Sequence, residues 1–164
     1  MPILDENTLE IFSRSAAQTR RMGIRLGSLL RAGDVVCMEG ELGAGKTTFV
    51  QGVARGWGAL EEASSPTFVL VNLYRRADGA PLYHVDAYRL GSALEAEELG
   101  LEDMLSEAPL LIEWADKIPE ALPSEHLWLT LSYVEEEQRQ IVVIAKGSRY
   151  RELLESFRKA AFGV

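Results

Sequence analysis

The sequence predicts an α/β fold: three layers around a mainly parallel central sheet, extended by an antiparallel hairpin toward the C-terminus. Three observations predict it. Short apolar runs alternate with amphipathic stretches from "VVCM" (35–38) to "PLLIEW" (109–114), as in a parallel sheet with helical crossovers. A glycine-rich stretch, "GELGAGKT" (40–47), sits between the first of these runs and a helical segment. Two alternating runs, "LWLTLSY" and "RQIVVIAK", flank the polar "VEEEQ", the pattern of a β-hairpin.

Taken in order, "TLEIF" (8–12) reads as a first strand. "SAAQTRRMGIRLGSLLRAGD" (15–34) reads as a helix, with Ser15 and Gln18 forming a capping box and "AGD" as its stop. At helical spacing Thr19, Met22, Leu26, Leu29 and Leu30 share one face. Arg20, Arg21, Arg25 and Arg31 share the other, as a solvated surface or a docking patch. "VVCM" is a buried strand, and "KTTFVQGVARGWG" is a helix that ends at its glycines. "FVLVNLY" and "LYHVDAY" read as strands around the turn "RRADGAP". "SALEAEELGLEDML" (92–105) reads as one helix, "PLLIEW" as a buried strand, and "DKIPEALP" as a turn or brief helix. After the hairpin, "YRELLESFRKAAF" closes the chain as a helix.

At 164 residues the chain suits one domain spanning 1–164, large enough to bury roughly 70% of its unfolded surface. No apolar run approaches the roughly 20 residues that cross a bilayer, and "MPILDENTLEIF" lacks the basic-then-apolar order of an export signal. A single cysteine, Cys37, precludes an intrachain disulfide. A cytoplasmic setting follows as the expectation. The net charge is −8, from 17 basic and 25 acidic residues. That argues against a standalone tRNA or DNA binder, whose affinity rests on neutralising phosphates.

Residues 40–47 match the eight-residue pattern G-x-x-x-x-G-K-[ST]. Its glycines let successive amide N–H groups turn inward into an anion-binding nest, and the following helix adds its positive end. Glu41, Leu42, Gly43, Ala44, Gly45, Lys46, Thr47 and Thr48 are therefore the candidate nucleotide-binding residues. Lys46 is expected to reach the β- and γ-phosphates and Thr47 to ligate Mg²⁺. The implied fold is of the P-loop NTPase type.

A magnesium-phosphate site needs a further acid. Asp86 stands at the end of a strand, where an aspartate either holds Mg²⁺ or caps the next turn. Glu113 follows a buried strand and either orients or deprotonates a water, within a metal-side set of Thr47, Asp86 and Glu113, or is a surface carboxylate. Trp114 either stacks near the nucleotide or packs in the core. "SSPTF" (64–68), with Ser65, Pro66 and Thr67, lies where γ-phosphate-sensing loops occur, or is an ordinary loop. His84, His126 and Cys37 show no metal-ligand spacing, and Cys37 reads as a buried apolar residue. No asparagine-lysine-x-aspartate guanine reader is present, and the late arginines (139, 149, 151, 158) are scattered rather than gathered in a kinase lid. ATP hydrolysis is favoured over both GTP hydrolysis and small-molecule phosphorylation. A small metabolite kinase and a nucleotide-gated binding module remain as alternatives.

These pieces together resemble the bacterial TsaE (YjeE) ATPases. "GELGAGKTTFVQGVARGWG", "SSPTFVLVNLY", "YHVDAYRL", "EELGLEDML" and "LLIEWADKIPEALP" occur in family order over roughly residues 33 to 123. The resemblance implies a slow Mg²⁺-dependent ATPase of tRNA threonylcarbamoyladenosine synthesis. It implies TsaB and TsaD as partners, TsaD being the transferase, so that tRNA is met only indirectly. The metal-linked acid falls at Asp86 and a catalytic glutamate at Glu113. Thr67 falls in a switch-like loop, and Trp114 close to the site. Arg89 is the nearest in-chain candidate to bring positive charge to a transition state; otherwise a partner group supplies it and Arg89 forms a structural salt bridge.

Overall fold

A computed structural model describes residues 3–41, 43–63, 71–90 and 93–163, without the side chains of 3–5, 89, 93 and 96. Eight strands form one sheet: β1 (Ile3–Asp5), β2 (Thr8–Ser13), β3 (Val35–Glu39), β4 (Val71–Arg75), β5 (Pro81–Asp86), β6 (Leu110–Glu113), β7 (His126–Glu135) and β8 (Gln138–Lys146). Their order across the sheet is β1-β2-β8-β7-β3-β6-β5-β4. The centre, β7-β3-β6-β5, is parallel. The flanking strands are antiparallel: β8, β2 and β1 on one side, and β4 on the other.

The helices are α1 (Ala16–Gly27), α2 (Lys46–Trp57), α3 (Ala93–Glu98), α4 (Leu101–Leu105) and α5 (Ser148–Phe162). Strand alternation divides the core in two. Val36 and Met38 of β3, with Leu111 and Leu129, face a layer containing Phe49, Val53 and Phe157. Val35 and Cys37 face the opposite way, among Val85, Ile112, Leu101 and Ile118. So α1, α2 and α5 cover one face, and α4 with the 3-10 turns covers the other. The three expected layers are present. Cys37 is fully buried, and burial pushes its thiol up to about 12.

The hairpin does more than extend the sheet, because β7 enters the parallel centre beside β3, with Cys37 opposite Trp128. Strand β4 pairs with β5 across the turn at 76–80, where Asp78 Oδ1 accepts from the Ala80 N–H. The first three residues expected in that strand, 68–70, lie outside the described residues.

Helix α1 begins as expected: the Ser15 hydroxyl accepts from Gln18 N–H, and the Gln18 amide oxygen accepts from Arg14 N–H. It stops at Gly27, well short of "AGD". Two tertiary contacts hold the turn that follows. Arg149 forks onto Asp34 and donates to the Leu29 carbonyl, while Asp34 accepts from Arg31 N–H. Arg25 donates to the Ala160 carbonyl of α5, so part of the arginine face is structural. The single helix expected over 92–105 is two, because Gly100 adopts a left-handed conformation, φ 81°, that breaks it.

Helices α1 and α2 cross with their backbones in contact. A methyl group built on Gly23, Gly27, Gly52 or Gly56 would lie 2.0–2.3 Å from a carbonyl oxygen of the facing helix. The spacing is small-x-x-x-small on both helices.

Candidate active site

Strand β3 delivers the chain at Glu39 to the glycine loop, and α2 begins at Lys46. Gly40, Gly43 and Gly45 have φ of 152°, 81° and 97°, angles that side chains disfavour. At Gly40 a methyl would also lie 2.4 Å from the Leu131 carbonyl oxygen. Gly45 caps α2 without a side-chain hydrogen bond, and the amides of the first turn have no intrahelical acceptor. Such an end suits an anion.

Lys46 is buried. Its ammonium donates to the Gly40 carbonyl and, at 3.4 Å, to that of Glu41. It also lies 3.8 Å from the centroid of the Trp114 ring. Burial lowers its pKa below the usual lysine value, and the charges of Glu113, Asp116 and Asp86 oppose that shift. Burial is the larger of the two effects.

The acids come from the neighbouring strands. In the ladder Asp86 of β5 pairs with Glu113 of β6, and Glu113 pairs with Met38 of β3. The two-residue period turns Asp86 and Glu113 to the face that α2 covers. Asp86 accepts from Tyr88 N–H at 2.9 Å, so it caps the 3-10 turn Ala87–Arg89. Glu113 is 5% exposed and hydrogen-bonds His84 Nε2. His84 Nδ1 meets the Tyr74 hydroxyl at 3.0 Å, and Asn72 donates to that hydroxyl at 3.3 Å. This buried chain fixes the orientation of Glu113. Trp114, next along, has φ 59°, which is strained for a bulky residue. That conformation sets its ring between Lys46 and Tyr88, whose ring centroid is 4.9 Å away.

A family model described as "Threonylcarbamoyl adenosine biosynthesis protein TsaE" matches residues 13–141. The chain belongs to the TsaE family. The TsaE protein of Bacillus subtilis (strain 168) is 38% identical over 144 residues, 87% of this chain and 89% of its own length. That of Streptomyces coelicolor is 42% identical over 137 residues, 80% of this chain and 93% of its own. The fold matches a structure described as "Crystal structure of Bacillus subtilus YdiB", with TM-score 0.77 and 33% identity over 93% of this chain and 95% of that one. The family acts in tRNA threonylcarbamoyladenosine biosynthesis, and this chain takes its place in that pathway.

Within this TsaE member, Gly43, Ala44, Gly45, Lys46, Thr47 and Thr48 surround the start of α2, with Glu41 just before them. Lys46, Asp86, Glu113 and Trp114 converge at the ends of β3, β5 and β6. Leu42, Ser65, Pro66 and Thr67 lie outside the described residues, as does the side chain of Arg89. Among the described residues no three His, Cys, Asp or Glu side chains gather as a metal cage. Asp86 and Glu113 with the Thr47 hydroxyl are hard oxygen donors, the kind that suits Mg²⁺ when phosphate and water supply the remaining ligands. No helix among the described residues is long and apolar enough to cross a membrane.

Sequence reasoning missed His84, Tyr88 and Asp116. The signal for His84 was present: it precedes Asp86 by two residues on one strand and so shares its face. Tyr88 and Asp116 lie in the quoted stretches "YHVDAYRL" and "LLIEWADKIPEALP", but both sit on short turns whose direction depends on tertiary packing.

Proposed function

We propose that the chain binds Mg²⁺-ATP through residues 40–48 and hydrolyses it slowly, acting with the TsaB–TsaD transferase in threonylcarbamoyladenosine synthesis on tRNA. The observation that carries this reading is the placement of Lys46. Its buried ammonium rests on the loop's own carbonyls, between the start of α2 and the Asp86–Glu113 pair. A triphosphate at that helix end offers the ammonium a better acceptor than those carbonyls.

In this mechanism the amides of residues 43–48 hold the phosphates, and Lys46 turns from Gly40 and Glu41 to the β- and γ-oxygens. Thr47 and Asp86 would hold the metal, with Glu113 beside Asp86 in the ladder on the same side. The Mg²⁺ ion, when bound, neutralises charge on the phosphate oxygens. Glu113 orients the attacking water and takes its proton, held in place by His84. Trp114 walls the Lys46 side of the site, and Thr67 belongs to the γ-phosphate-sensing loop. Positive charge from Arg89 or from a partner completes transition-state stabilisation on assembly, which agrees with slow turnover alone. Contact with tRNA is delegated to the partners, in keeping with a net charge of −8.

The test is phosphate release by the purified chain with Mg²⁺-ATP, alone and with TsaB and TsaD, beside Lys46→Ala and Glu113→Ala. Wild type is expected to be stimulated by the partners. Lys46→Ala should lose productive binding, and Glu113→Ala should keep ATP and lose hydrolysis. A phosphorylated small molecule in place of inorganic phosphate would establish a kinase, and binding without turnover a nucleotide-gated module.

A further inference from the structure

Strand β4 is the outermost strand on its side of the sheet, yet its Tyr74 is buried. Asn72 stands opposite His84 in the β4–β5 ladder, and the two-residue period puts Tyr74 on the same face. Their polar atoms run in one line toward the site. Asn72 Nδ2 donates to the Tyr74 hydroxyl at 3.3 Å, that hydroxyl meets His84 Nδ1 at 3.0 Å, and His84 Nε2 meets Glu113. Tyr74, His84 and Glu113 are all buried, so a mismatched donor or acceptor among them would be costly.

The protons along this line can be counted. An ionised Glu113 only accepts, so Nε2 of His84 must carry a proton. A neutral imidazole has a single ring proton, which leaves Nδ1 a bare acceptor in need of a donor. The Tyr74 hydroxyl, whose oxygen already accepts from Asn72, supplies it. Every donor then points toward Glu113, and each bond polarises the next. The other tautomer would set a bare Nε2 against the carboxylate, acceptor facing acceptor, and would aim Nδ1–H at the oxygen to which Asn72 already donates.

We propose that Tyr74 is a positioning residue for hydrolysis: by donating to Nδ1 it locks His84 in the Nε2–H tautomer and so holds Glu113 as an oriented, ionised carboxylate. The proposal rests on the reading of Glu113 as the water-orienting base given above and deepens it. Tyr74 acts only through His84. Which ring nitrogen of a histidine carries the proton is set by the hydrogen bond that the other nitrogen makes, and the wrong tautomer impairs catalysis even where the geometry survives.

The test has two arms. The first is nitrogen NMR of the full chain, isotopically labelled in its histidine side chains, nucleotide-free and at mildly alkaline pH. His84 and His126 are the only histidines, so His126→Gln leaves His84 as the sole signal. Nε2 is expected to resonate as a protonated ring nitrogen and Nδ1 as a bare, hydrogen-bonded one. Adding Tyr74→Phe should move Nδ1 toward a bare nitrogen without a donor and Nε2 toward a mixture of tautomers. A proton on Nδ1 with Tyr74 in place, in the other tautomer or in a doubly protonated ring, would overturn the proposal. The second arm is phosphate release from Mg²⁺-ATP by wild type and Tyr74→Phe, after thermal unfolding shows that both are folded. In Tyr74→Phe kcat should fall about tenfold or more, with KM and the calorimetric Kd for Mg²⁺-ATP within about twofold of wild type. Unchanged kcat would overturn the proposal. So would equal losses in kcat and affinity, which would make Tyr74 a packing residue. Wild type that binds no Mg²⁺-ATP would instead sink the nucleotide reading, and the NMR arm would still decide the tautomer.

Discussion

The four-glycine crossing of α1 on α2 gives a prediction whose sign separates two physical effects. In Gly52→Ala the new methyl would lie 2.1 Å from the Arg20 carbonyl oxygen, whereas ordinary contact begins near 3.4 Å. The shortfall is 3.4 − 2.1 = 1.3 Å, and the obstructing atom is backbone, so no rotamer change relieves it. The helices must part. Met22 and Leu26 of α1 and Phe49 and Val53 of α2 are all buried on this face, and a gap of about 1 Å forfeits a quarter to a half of each dispersion contact. Overpacking of this kind costs about 2–4 kcal/mol here, against about 1 kcal/mol gained from replacing glycine by alanine in a helix. The net loss is about 1–3 kcal/mol, a fall in Tm of roughly 2–12 °C at this chain length. Urea and thermal unfolding measure it. A variant as stable as wild type, or more so, would mean that helix propensity outweighs the close approach and would refute the reasoning.

Three further outcomes are expected. Tyr150→Phe removes the hydroxyl that accepts from the buried Val35 N–H at 3.0 Å, and should lose about 1–3 kcal/mol in urea unfolding; a loss under about 0.5 kcal/mol would mean that the amide finds another acceptor. His84→Asn takes the ring nitrogen from Glu113, and should lower the rate of hydrolysis far more than it weakens Mg²⁺-ATP; equal effects on both would show that His84 does not position the water-orienting carboxylate. The folded-state pKa of Lys46 is lowered by burial. The unfolded chain therefore holds more protons between that lowered value and the ordinary lysine value, and the stability of the nucleotide-free chain should rise with pH across this window. Mg²⁺-ATP affinity should fall across the same window as the ammonium is lost. Unfolding and titration of wild type against Lys46→Met at successive alkaline pH values check both, and an identical pH response in the two proteins would remove Lys46 as the cause.

Local chemistry was legible in the sequence. The glycine loop, the Ser15–Gln18 cap, the buried β3 and the two-stranded tail each depend on residues a few positions apart, and each is present in the fold. Asp86, Glu113 and Lys46 could be listed one by one, because strand ends before a turn or a glycine loop are marked by composition. What composition cannot carry is the lateral order of strands. The entry of β7 beside β3 and the pairing of β2 with β8 join segments about a hundred residues or more apart. The same is true of the early end of α1, which depends on Arg149 reaching Asp34 and Leu29. Gly100 was visible in the sequence, but only its left-handed backbone shows that it splits a helix. Arg139 read as one of several scattered arginines, since its closeness to Gly45 exists only once the hairpin has folded back.

The strand order also sets a timetable for synthesis. Strand β3, which carries the glycine loop, finds its two neighbours only at residues 110–113 and 126–135, and β2 waits for β8 at 138–146. A chain still emerging from the ribosome therefore holds an unpaired β3, apolar from Val35 to Met38, until most of its length has been made. Long-range pairings of this kind form slowly. A nascent or truncated product lacking the last forty residues would display a sticky open edge, and would be a substrate for chaperones or proteases.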